Sequence, residues 1–140
     1  MSFLLKLFYK IDVFKYEMYE INNGTSIPLI GYGTWLIEQP IAKECVLNAL
    51  KFGYSHIDSA QAYENEVDDE EEMRESKIER KDIYLTTKVA AEIKSYEKEK
   101  QSIDASLKRF NVSYIDLMLI HFPQSKQIWK SLILSLKLKI

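Results

Sequence analysis

A carboxylate, a phenol, an ammonium and an imidazole lie along this chain at spacings that a reaction can use. Asp58 and Tyr63 stand five positions apart in His56-Ile57-Asp58-Ser59-Ala60-Gln61-Ala62-Tyr63, and Lys88 and His121 follow. A tyrosine phenol ionises near pH 10 in water, too high for easy acid–base work at neutrality. An ammonium beside a phenol favours the phenolate, and a carboxylate holds that ammonium charged and oriented. An imidazole nearby can donate a hydrogen bond to a carbonyl oxygen. Asp58, Tyr63, Lys88 and His121 therefore suit protonation of a carbonyl oxygen while hydride reaches its carbon. No side chain delivers hydride, so such chemistry needs a cofactor.

The elements that must position these groups alternate in type. Tyr19 to Ile21, the turn Asn22-Asn23-Gly24, and Thr25 to Ile27 read as a β-hairpin, since Asn-Gly tolerates the positive φ a tight turn demands. Leu29 to Trp35 reads as a first buried strand. Ile41, Cys45 and Ala49, with Val46 and Leu50, form a helical stripe that Gly53 can cap. Tyr54 to Ser59 predicts a second strand and Ile83 to Val89 a third. Glu64 to Ser76 is a charged segment anchored mainly by Val67 and Met73. Ser95 can N-cap a helix carrying Tyr96, Ile103, Leu107 and Phe110 inward. Tyr114 to Ile120 is a fourth strand, apolar on both faces as a covered parallel sheet requires. A hairpin followed by repeated βα units predicts a parallel α/β architecture. Asp58, Lys88 and His121 then close successive strands, and Tyr63 lies in the loop after the first of them. That is the face where parallel α/β folds place chemistry.

Composition bounds the alternatives. The chain has 140 residues, 46% apolar and 29% charged, as in globular proteins. A net charge of -2 without a basic stripe gives no reason to expect nucleic acid. The single Cys45 excludes an internal disulfide framework and no metal cluster is expected, so a cytoplasmic location is expected. No apolar run approaches the roughly 20 residues of a membrane-spanning helix. Lys6 and Lys10 interrupt the apolar opening, which reads as no signal peptide.

The motifs resemble those of the aldo-keto reductase family. Asn22-Asn23-Gly24 through Gly31-Tyr32-Gly33-Thr34-Trp35 resembles its N-terminal hairpin and first barrel strand. His56 through Tyr63, continued by Glu64-Asn65-Glu66, is similar to its most specific signature. Leu85-Thr86-Thr87-Lys88 looks like its lysine strand, and Asp116-Leu117-Met118-Leu119-Ile120-His121-Phe122-Pro123 like its histidine strand. The likeness covers roughly residues 19–124. It implies part of a (β/α)8 TIM barrel, an N-terminal hairpin plus about four βα units, reducing small aldehydes or ketones to alcohols. Tyr63 would be the general acid, Lys88 and Asp58 its tuning partners, and His121 the group that orients the carbonyl. Gly33, Thr34 and Asp58 would lie at the nicotinamide, and Trp35, Tyr63, His121 and Phe122 would line the substrate pocket. The family's cofactor is NADPH, in some members NADH, bound without the glycine-rich dinucleotide fingerprint. That fingerprint is absent here, since Gly31-Tyr32-Gly33 lacks the third glycine.

The family barrel typically runs to about 250 residues, whereas four barrel strands are legible here. Residues 1–17 read as an appendage, with Met18 an alternative start, 18–124 as the half barrel, and 125–140 as a divergent tail. The expectation is a truncated form with little activity alone, whose open half-barrel edges invite self-association. A non-catalytic binding or regulatory module, or an inactive truncated product, stands beside that reading. His56 reads as structural, and Trp35 as either core or pocket wall. The acidic run Glu66 to Glu72 lacks the ligand spacing of a calcium loop and reads as a solvated helix face.

Overall fold

The computed structural model describes residues 17–21, 24–37, 42–93 and 95–122. The appendage except Glu17, the tail, Asn22, Asn23 and Ile41 lie outside the described residues. Strands β1 (Met18–Glu20) and β2 (Ser26–Pro28) pair antiparallel with Tyr19 opposite Ile27, and the Ile21 N–H donates to the Thr25 carbonyl at 2.8 Å. Gly24 takes φ +77°, the conformation the hairpin turn was expected to need.

Four strands then form one parallel sheet in chain order: β3 (Tyr32–Gly33), β4 (His56–Asp58), β5 (Tyr84–Val89) and β6 (Leu117–Ile120). Helix α1 (Ala42–Lys51) connects the first pair, α2 (Glu66–Glu75) the second and α3 (Tyr96–Arg109) the third. The expected strand over Leu29 to Trp35 shrinks to two residues. Among the described residues β3 has a neighbour on one side only, and Leu29 and Ile30 form an exposed bend ahead of it.

Helix ends follow local chemistry. Gly53 has φ +96°, and the Gly53 and Tyr54 N–H groups donate back to the Leu50 and Ala49 carbonyls at 3.0 Å each. That paired pattern satisfies carbonyls a helix end would otherwise orphan. Asn111, φ 49°, ends α3 the same way, and the Ser95 side chain caps its start by accepting from the Lys98 N–H.

Register decides which side chains face the helices. Tyr32, Ile57 and Leu85 share one row; Gly33, Asp58, Thr86 and Leu117 share the next, on the opposite face. The helix-side rows build a core of Val46, Leu50, Ile57, Met73, Ile83, Leu85 and Phe110. Val89 and Ile103 continue it, with Met118 and Ile120 packed against them. His56, Asp58, Tyr84, Thr86, Lys88 and Leu119 alternate onto the other face, the inside of the partial barrel.

The acidic run departs from expectation. Glu66, Asp69 and Glu72 are buried, whereas Val67 is 49% exposed. Three carboxylates point inward because each finds a distant donor. Glu66 accepts from Thr87 Oγ1 at 2.7 Å and from Arg109 Nε at 2.6 Å. Asp69 Oδ2 accepts from Thr34 Oγ1 at 3.1 Å, and Glu72 Oε2 from the Leu47 N–H at 2.9 Å. The solvated-face reading is overturned: α2 packs by hydrogen-bonded carboxylates, with Met73 its buried apolar anchor.

Candidate active site

Lys88 is the hub of the inner face near the C-terminal end of β5. Its Nζ donates to Asp58 Oδ1 at 2.6 Å, to the Ser59 carbonyl at 2.8 Å and to the Tyr63 phenol oxygen at 3.3 Å. An ammonium has three donors, and each has an acceptor here. The Lys88 side chain is 12% exposed, whereas Asp58 keeps 38% exposed although Oδ1 is taken. Tyr63 closes a short 3-10 turn, Gln61–Tyr63, and Glu64 then takes a left-handed φ of 59° that swings the chain into α2.

His121 completes the group. Its N–H donates to the Val89 carbonyl at 3.1 Å, which sets the ring at the end of β6. The ring meets the Tyr63 ring edge-on, centroids 5.5 Å apart, and stacks on Phe122 at 4.9 Å. Nδ1 is buried without a hydrogen-bond partner. Burial pushes the imidazole below its ordinary range and the Lys88 charge adds to that, against weaker pulls from Asp58 and Glu92. A neutral ring beside a phenol suits hydrogen bonding to a neutral carbonyl.

The structure brings Asp58, Tyr63, Lys88 and His121 together and keeps His56 apart. His56 Nε2 lies 2.9 Å from Thr86 Oγ1, and its ring meets Tyr84 edge-on. A Cβ at Gly31 would fall 2.5 Å from His56 Nδ1, so the close approach requires glycine there. Trp35 is 66% exposed, which removes the core reading. With Tyr63, Leu36, Ile37 and Asn65 it lines a cavity of about 350 Å³. A larger cavity, about 630 Å³, lies at the opposite strand ends beneath the hairpin, between Met18, Pro28 and Tyr84, away from the four groups.

Residues near the expected nicotinamide position divide into two kinds. Gly33 is exposed beside Asp58 in register, with open space where a Cβ would stand. Thr34 is buried: its N–H donates to the Asp58 carbonyl at 3.1 Å, its carbonyl accepts from Asn65 Nδ2 at 2.9 Å, and its hydroxyl is bound to Asp69. Gly33 thus leaves open space beside a carboxylate that is 38% exposed. Thr34 supports that surface from behind.

Sequence reasoning passed over Ser59, Gln61 and Asn65. Ser59 lends its carbonyl to Lys88 and its hydroxyl to Asn65 Oδ1 at 3.3 Å. Gln61 bonds Ala90, Ser102 and Ser106. The available signal was their place inside the segment that holds Asp58 and Tyr63.

The family model described as the aldo/keto reductase family matches residues 29–133. The chain belongs to the aldo/keto reductase family. A Mycolicibacterium smegmatis aldo-keto reductase is 40% identical over 103 residues, 74% of this chain and 38% of its own. The glycerol 2-dehydrogenase (NADP+) of Saccharomyces cerevisiae is 38% identical over 107 residues, 76% of this chain and 34% of its own. A solved aldo/keto reductase from Brucella melitensis superposes with a TM-score of 0.83 and 40% identity, covering 88% of this chain and 48% of that one. A Bombyx mori aldo-keto reductase solved in complex with NADP gives a TM-score of 0.77 at 25% identity, covering 87% and 47%. This aldo/keto reductase chain thus spans less than half the length of these relatives. The parallel sheet with its hairpin is part of the TIM barrel that the family shares. Among the described residues no helix is long and apolar enough to cross a membrane.

Proposed function

We propose that this chain carries the acid–base machinery of an NADPH-dependent carbonyl reductase, with Tyr63 as general acid. The observation that supports this most is the Lys88 ammonium bonded at once to Asp58, the Ser59 carbonyl and the Tyr63 oxygen. Because the phenol oxygen accepts from Lys88, its own proton is left to donate. A substrate carbonyl oxygen placed between Tyr63 and His121 takes that proton, and His121 orients it by a hydrogen bond. The ammonium 3.3 Å away stabilises the negative charge left on the phenol oxygen. Asp58 and Ser59 hold the ammonium in place, while Trp35 and Phe122 flank the carbonyl's substituents. A reduced nicotinamide supplies hydride when bound, and Gly33 and Asp58 are the residues that would hold its ring end. The relatives named for or solved with NADP favour NADPH over NADH.

The test is NADPH binding by fluorescence together with reduction of a small aldehyde. Tyr63→Phe is expected to lower the reduction rate by roughly 10²-fold or more, the usual contribution of a general acid, with NADPH binding unchanged. No NADPH binding at millimolar concentration, or reduction indifferent to Tyr63→Phe, would overturn the proposal.

A further inference from the structure

Tyr63 and Lys88 come from different elements, and their separation must be set by something other than their own contact. On either side of Tyr63 in the chain stand Gln61 and Glu66; on either side of Lys88 stand Thr87 and Ala90. Gln61 Oε1 accepts from the Ala90 N–H at 3.0 Å, and Glu66 Oε1 accepts from Thr87 Oγ1 at 2.7 Å. The two side chains thus grip the chain before and after the lysine, at Thr87 within β5 and at Ala90 just beyond it. Both are anchored to α3 as well. Gln61 Nε2 donates to the Ser102 carbonyl at 3.2 Å and to Ser106 Oγ at 3.0 Å, and that hydroxyl donates to Glu66 Oε2 at 3.2 Å.

We infer that Gln61 is a positioning residue that sets the Tyr63 phenol against the Lys88 ammonium by tying the Tyr63 turn to Ala90 and α3. Its catalytic consequence rests on the reductase reading above. The alternative, a glutamine that merely stabilises the fold, is weakened by where its bonds go. All three partners belong to the strand–helix unit that carries Lys88, and the side chain lies two residues from Tyr63. Removing its amide frees the turn to shift, and an ångström of displacement at a proton-transfer site is enough to slow it.

The decisive measurement does not require turnover. The Lys88 ammonium nitrogen is followed by NMR in the 140-residue protein, its signal assigned by loss in Lys88→Met. In the parent, Tyr63→Phe is expected to move that resonance. In Gln61→Met, similar in length but without donors or acceptors for these bonds, the same Tyr63→Phe change is expected to move it much less. An equal response in both backgrounds overturns the inference. Should Gln61→Met fail to fold, Gln61→Asn keeps the amide one methylene short of its partners and is read in the same way. In the activity assay, Gln61→Met is expected to lower kcat about 10- to 100-fold with KM for the carbonyl little changed. A parent without Tyr63-dependent reduction defeats the reductase reading alone, because the ammonium resonance still decides the role of Gln61.

Discussion

At the residue scale, the site depends on Lys88 being an ammonium rather than merely a cation. Three oxygens converge on one nitrogen from a carboxylate, a backbone carbonyl and a phenol. A planar guanidinium spreads its donors over a wider fork and meets two such acceptors more readily than three. Lys88→Arg is therefore expected to fold and yet to lose at least tenfold in Tyr63-dependent reduction; parent-like turnover in a steady-state assay would refute it. The histidines make a second, pH-dependent prediction. Burial is the largest cause lowering both His56 and His121 from the ordinary value of 6.5. As pH falls through 6.5 the unfolded chain takes up protons that the folded chain resists, so the histidines' contribution to stability is full above 6.5 and declines below it. His56→Gln and His121→Gln should each flatten that decline when denaturant midpoints are compared between pH 7.5 and 5.5. Slopes steeper than the parent's would contradict the assignment.

At the element scale, α2 shows where sequence reading succeeds and where it fails. Asp58, Lys88 and His121 were legible because strand endings can be read from local alternation and β-formers. The caps at Gly53 and Ser95 were legible for the same reason. The orientation of α2 was not. Its acidic residues look solvated until Thr87, Arg109, Thr34 and Leu47 are known to lie against them, and those partners stand 21 to 43 residues away in the chain. Local periodicity has no access to pairings of that range. Two substitutions separate the readings. Glu66→Ala, which leaves the buried Thr87 and Ser106 hydroxyls without their acceptor and the part-exposed Arg109 guanidinium without its ion-pair partner, should cost about 2 kcal/mol. Val67→Ser next to it should stay within roughly 0.5 kcal/mol. The reverse order in urea denaturation would restore the solvated-face reading. Asp69 adds a pH signature opposite to the histidines. Burial lifts its carboxyl from 3.8 to about 7, against the opposing hydrogen bond from Thr34. The folded chain holds that proton between those values while the unfolded chain has lost it, so this contribution is present below 3.8 and lost as pH rises to about 7. Asp69→Asn should match the parent near pH 4 and exceed it in stability at pH 8. Equal stabilities at pH 8 would show that the buried carboxyl ionises without penalty.

At the scale of the whole molecule, the sheet of the described residues has a side covered by helices and a side that is not. The helix-facing side holds the core, whereas the barrel-facing side presents Leu119 at 39% exposure beside Lys88 in register. Among the described residues β3 and β6 each pair with one neighbour only. Unpaired parallel edges and half-exposed leucines are the features through which sheets join other sheets. The relatives' chains are more than twice as long as the portion matched here, and an eight-stranded barrel leaves no sheet edge free. We predict that the 140-residue chain self-associates in solution, with a sedimentation coefficient that rises with concentration. Leu119→Lys places a charge where an apolar contact would form and leaves the helix-side core untouched. It should weaken association about tenfold, or ~1.4 kcal/mol, with the circular dichroism spectrum unchanged. A parent chain that sediments as a monomer at every concentration would mean that the open face is tolerated by water, and the polar row of Asp58, Thr86 and Lys88 would then be the reason.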